Sequence, residues 1–79
     1  MNDLVPHKQI LEFLNETIAQ FKNEPNHKLP SERMLADKFK ASRRSVRIAY
    51  DKLIEKKLVE KVHGKGYFTL EKKLVAFGP

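Results

Sequence analysis

Residues 42–47 read Ser-Arg-Arg-Ser-Val-Arg, which places three arginines within five positions beside two short hydroxyls. A guanidinium is a planar fork of N–H donors that matches a phosphate or the edge of a guanine with paired hydrogen bonds. A second group, His63-Gly64-Lys65-Gly66, sets a lysine between two glycines with the aromatics Tyr67 and Phe68 directly behind. The pattern G-x-x-x-x-G-K-[ST] is absent, so this is not a nucleotide-phosphate loop, and a lone Gly-Lys-Gly suits a turn better. His7, His27 and His63 fall in separate parts of the chain with no ligand spacing, and there is no cysteine. They read as surface histidines. Neither a Ser/His/Asp nor a Cys/His arrangement can be assembled, no carboxylate pair stands out, and neither a metal nor another cofactor is expected. An enzyme is not indicated.

The elements that must carry these groups are few. Seventy-nine residues allow one domain with one small core. Hydrophobic residues at 41% and charged residues at 33% describe a globular chain rather than a disordered one. No apolar run approaches the roughly 18 residues that would span a bilayer. The first ten residues lack the basic-then-apolar order of a secretory signal, and a reducing cytoplasm is the expected location. The net charge of +6 raises the expectation of a polyanionic partner.

The apolar positions Ile10, Leu11, Leu14, Ile18 and Phe21 make one helical face. Pro6 suits its first turn, where a missing N–H costs nothing. The helix is expected to stop near Lys22 or Asn23, with a loop over "NEPNHKLP". A second, short helix opens at Ser31, a good N-cap, with Leu35, Ala36 and Phe39 on its buried side. After a tight connection Ser42 caps a third helix, whose core face is Val46, Ala49, Tyr50, Leu53 and Ile54. It should end around Lys56 and Lys57. Residues 58–62 and 67–70 then read as two strands joined by the glycine-containing turn. The fold class is therefore mainly α with a small β-hairpin: a winged helix-turn-helix, three helices followed by a two-stranded wing. Residues 1–70 are expected to form this domain, and residues 71–79 a linker or tail.

On the third helix Arg43, Arg47 and Asp51 lie on a flank away from the apolar stripe, with Arg44 further round. Cations at a helix N-terminus oppose the macrodipole by a few tenths of a kcal/mol to about 1 kcal/mol each. A capped, solvated helix start would favour acids there, so the arginines suggest a role outside stability. In a helix-turn-helix this end of the helix enters the major groove. An amphipathic first helix lying on a membrane is the weaker reading, because Glu12, Glu16 and Glu24 would repel anionic lipid.

Residues 29–68, "LPSERMLADKFKASRRSVRIAYDKLIEKKLVEKVHGKGYF", resemble the N-terminal DNA-binding domain of GntR-family bacterial transcription regulators. The shared features are Leu-Pro-Ser-Glu-Arg, Leu-Ala, Ser-Arg-x-x-Val-Arg and a Gly-x-Gly followed by an aromatic. The resemblance covers roughly residues 8–70. It implies a double-stranded DNA operator as partner, with a palindromic site and a homodimer in the complete regulator. It also implies that Arg33 contacts DNA, that Arg43 reads bases, and that Ser42, Arg44, Ser45 and Arg47 hold phosphates or bases. The hairpin tip, His63, Gly64 and Lys65, would lie along or in the minor groove. Specificity would come mainly from Arg33, Arg43 and Arg44, and register on phosphates from Ser42, Ser45, Arg47 and Lys65. The alternative is a winged helix used for protein or RNA contact.

Four positions depart from the family pattern. Lys40 and Lys57 stand where glycines are usual, and a left-handed backbone at either should cost about 1 kcal/mol. Met34 removes the acid that would complete a capping box with Ser31. Ile48 puts an apolar side chain off the main stripe. The family's effector-binding, dimerising domain does not fit within 79 residues. The chain is expected to be an N-terminal piece of a metabolite-responsive regulator, most simply a repressor, the alternative being a regulator that lacks that half.

Overall fold

The computed structural model describes residues 6–22 and 24–70. Its elements are α1 (Pro6–Gln20), α2 (Glu32–Phe39), α3 (Arg43–Glu55), β1 (Val59–Val62) and β2 (Gly66–Thr69). Three helices followed by an antiparallel hairpin are the expected winged helix-turn-helix. The tail at 71–79 lies outside the described residues.

The helical periodicities translate directly into the core. Ile10, Leu14 and Ile18 of α1 meet Leu35 of α2 and Val46, Ala49, Tyr50 and Leu53 of α3, all buried, and Val59 and Tyr67 close the assembly from the hairpin. Ala36, Phe39 and Ile54 are only partly buried at its margin. Both expected caps form. The Ser31 hydroxyl accepts from the Met34 N–H at 3.0 Å, and the Ser42 hydroxyl from the Ser45 N–H at 3.1 Å. Each satisfies an N–H that the helix itself leaves unpaired.

The lysines at the family's glycine positions do adopt the left-handed backbone: φ is 56° at Lys40 and 61° at Lys57. The Ala41 N–H reaches back to the Ala36 carbonyl at 2.9 Å, and the Leu58 N–H to the Leu53 carbonyl at 3.0 Å. Such bonds close a helix only when the intervening residue turns left-handed, and that requirement overrides the lysine's own preference.

The hairpin pairs Val59 with Thr69, Glu60 with Phe68, Lys61 with Tyr67 and Val62 with Gly66. The strands are offset from the expected 58–62 and 67–70. Leu58 is consumed in closing α3, although its carbonyl still accepts from the Leu70 N–H at 2.9 Å. At the other end Gly66, with φ of 120°, joins the ladder as its last pair. The segment expected to be plain loop also differs. Residues 26–29 run beside β2, with Asn26 N–H donating to Thr69 O, Thr69 N–H to His27 O, and Leu29 N–H to Tyr67 O at 2.8–2.9 Å. The outer edge of β2 would otherwise present unpaired backbone groups. Two prolines hid this pairing in the sequence.

Candidate nucleic-acid interface

An aromatic contact joins the wing to the helix-turn-helix. Tyr67 of β2 lies flat on Tyr50 of α3, with ring centroids 3.7 Å apart and planes within 3°. Each hydroxyl is anchored: Tyr50 donates to the Pro30 carbonyl, and Tyr67 donates to Glu32 Oε2 at 2.7 Å. Burial, reinforced by the negative charge of Glu32, pushes both phenols above the ordinary tyrosine range. Glu32 also accepts from Arg47 Nε, at 3.2 Å through Oε1. Burial alone would raise the Glu32 carboxyl, but the Tyr67 hydroxyl, Arg47 and Lys61 outweigh it and hold the group below its usual value. Glu32 is thus a carboxylate at neutral pH.

Between the starts of α2 and α3 on one side and the hairpin on the other lies an open groove of about 490 Å³. Its rim carries Arg33, Arg43, Lys61 and Lys65, with Glu32 and Tyr67 also lining it. Of the residues singled out in the sequence, Arg33, Arg43, Gly64 and Lys65 are brought together here. Ser42, Arg44 and His63 are exposed nearby in the chain but do not line the groove. Gly64, with φ of 79° and open space around its α-carbon, forms the turn with the Lys65 N–H bonded to the Val62 carbonyl at 2.9 Å.

One expectation needs revision. Ser45 is only 4% exposed, and its hydroxyl accepts from that of Ser42 at 3.2 Å, so it braces the helix start and offers no surface to a phosphate. It sits one position before Val46, on the edge of the helix that turns inward. Arg47 is exposed, and its Nε is paired with Glu32 of α2. The groove is also lined by residues that the sequence reading did not assign to the site, among them Lys61, Glu32 and Tyr67. Lys61 falls within the expected strand at 58–62, but only the register opposite Tyr67 says which side it faces. Its ammonium lies 5.8 Å from the Tyr67 ring centre.

The arrangement has one chemistry within reach. Guanidinium and ammonium groups line an open cleft beside the N-terminus of a capped helix, where backbone N–H groups also favour anions. No helix among the described residues is long and apolar enough to cross a membrane.

Comparison with known proteins agrees with this geometry. Residues 6–69 match the family described as bacterial regulatory proteins, gntR family. The chain is 32% identical over 68 residues to the mannosyl-D-glycerate transport/metabolism system repressor MngR of Escherichia coli, covering 86% of this chain and 28% of that protein. It is 36% identical over 66 residues to the HTH-type transcriptional repressor NagR of Bacillus subtilis, covering 84% and 27% respectively. The chain therefore spans less than a third of these curated relatives. Among solved structures, the AraR DNA-binding domain in complex with operator ORX1 superposes with a TM-score of 0.74 at 33% identity, covering 84% of this chain and 81% of that one. A GntR family transcriptional regulator from Listeria monocytogenes gives 0.74 at 30% identity, covering 91% and 64%. This chain belongs to the gntR family of bacterial regulatory proteins, not to a family of enzymes, and its described residues form a winged helix-turn-helix domain.

Proposed function

We propose that this domain binds double-stranded DNA sequence-specifically, as the operator-reading part of a bacterial transcription repressor. The observation that carries the reading is the convergence of Arg33, Arg43, Lys61 and Lys65 on one groove between the start of α3 and the wing. In this reading α3 enters the major groove, α2 crosses the backbone, and the turn at His63, Gly64 and Lys65 reaches the adjoining minor groove. Arg33, Arg43 and Arg44 discriminate bases. Ser42, Arg47, Lys61 and Lys65 fix register on phosphates. The relatives named as repressors, and the operator complexes of a domain that superposes on this one, support it.

The complete regulator acts in the cytoplasm as a homodimer on a palindromic site, and a metabolite bound to a further domain controls it. Relatives more than three times longer than the matched region leave room for that domain. The test is binding of the chain to random-sequence duplex DNA, followed by selection of the preferred duplex. Binding at about 50 mM salt that weakens steeply toward about 200 mM is the expected result. A chain with no affinity for any duplex at the lower salt defeats the proposal and leaves protein or RNA contact as the function of the wing.

A further inference from the structure

Glu32 lies at a junction of the proposed interface, and its side-chain partners are on other elements. One oxygen accepts from Arg47 of α3, and the other accepts from Tyr67 of β2, whose ring rests on Tyr50 of α3. The side chain is only 16% exposed, although it belongs to the first turn of a surface helix.

An acid at this position agrees with the helix macrodipole, and that is the simplest account of it. The macrodipole does not require two hydrogen bonds to two other elements. Against a polyanion the charge is also unfavourable, since it subtracts from the attraction of the surrounding cations. A group that opposes association and yet ties the reading helix to the wing has the form of a geometric device.

We infer that Glu32 is a positioning residue, whose carboxylate locks Arg47 and the wing in one relative placement and thereby supports discrimination between sequences rather than attraction to DNA. The inference rests on the DNA-binding reading above. A carboxylate can accept at both oxygens, whereas an amide has one acceptor oxygen and turns an NH₂ toward the second donor. Glu32→Gln can keep Arg47 on its oxygen only by turning its NH₂ to the Tyr67 hydroxyl, which must then accept instead of donating, and both bonds lose the carboxylate charge that strengthens them. Tyr67→Phe cuts the wing link alone, leaves the charge unchanged and keeps the ring on Tyr50.

The experiment compares a duplex selected from a random pool by the wild-type chain with a scrambled duplex of equal length. Glu32→Gln is expected to hold the scrambled duplex at least as tightly as wild type, because a negative charge is gone. It should hold the selected duplex roughly tenfold more weakly, the scale of one charge-assisted hydrogen bond. Tyr67→Phe should lower the affinity ratio of selected to scrambled duplex. The double variant should lose no more than the more damaging single one, since both act through one junction. The NMR signal of the Arg47 Nε–H should shift in Glu32→Gln, a response that simple charge removal at a distance would not produce. Tighter binding of both duplexes by the same factor in Glu32→Gln would overturn the inference, as would an unchanged ratio in Tyr67→Phe. If Glu32→Gln does not fold, Tyr67→Phe decides alone, its fold checked by melting. A wild-type chain that binds no duplex overturns both the inference and the reading beneath it, whereas selective wild-type binding with unaltered variant ratios overturns only the inference.

Discussion

At the scale of single residues, the exposed cations divide by what their surroundings allow. Arg43 stands at the first position of α3, behind the Ser42 cap, with its side chain in the groove. A guanidinium so placed can pair with both acceptors of a guanine. Arg43→Ala should cost about 1–3 kcal/mol on the preferred duplex and relax the preference at one base pair, read by competition among single-substitution duplexes. Lys65, at the tip of the turn, is a point charge on a flexible stem and suits a phosphate. Lys65→Ala should weaken binding evenly across sequences and lower the salt slope by about one, measured by salt titration. An even loss for Arg43, or a loss confined to one sequence for Lys65, would exchange these roles. Ser45 illustrates the limit of reading residue types: its hydroxyl looked available in the sequence, yet one helical step of rotation buries it.

At the scale of elements, closure of the helices competes with side-chain preference. Lys40 ends α2 at φ 56° and ψ 45°, in the left-handed region that favours glycine. The three-residue link at 40–42 leaves no slack to end α2 differently, because Ser42 must already cap α3. Lys40→Gly should therefore stabilise the domain by about 0.5–1 kcal/mol, the strain relieved exceeding the added flexibility of the unfolded chain. Urea denaturation checks it, and an unchanged or lower midpoint would mean that the lysine side chain contributes more than its backbone costs. The wing shows the opposite balance. Its strands are four residues each, too short for independent stability, and they persist because residues 26–29 pair with β2 and Tyr67 packs on α3.

At the scale of the whole molecule, Tyr50 joins the parts. It is fully buried, stacks on the wing, and holds the segment before α2 through the Pro30 carbonyl. Tyr50→Ala should cost about 3–5 kcal/mol, a large fraction of what a domain this small possesses, and thermal melting should show it largely unfolded. Near-neutral melting would contradict the observed burial. The stacked tyrosines also set an alkaline limit. Both phenols are raised above the ordinary value of about 10 on folding, so their contribution is complete below that pH. It is lost as pH rises beyond about 10 toward the folded values, because only the unfolded chain ionises freely. Stability followed by circular dichroism should fall over that range, and Tyr67→Phe should reduce the slope.

The sequence by itself determined the three helices, their caps, the hairpin and the arginine cluster at 42–47. These depend on local periodicity and on side chains bonding to backbone a few residues away, and both are written within short windows. It also marked Lys40 and Lys57 as sites of backbone conflict, and both are left-handed in the structure. Tertiary structure alone decided which charges share a groove, which serine turns inward, and that residues 26–29 complete the sheet edge. Glu32, Arg47 and Tyr67 are separated by 15 to 35 positions yet form one hydrogen-bonded unit. Their meeting depends on helix rotation and strand register, which are set when the core packs rather than by any segment alone.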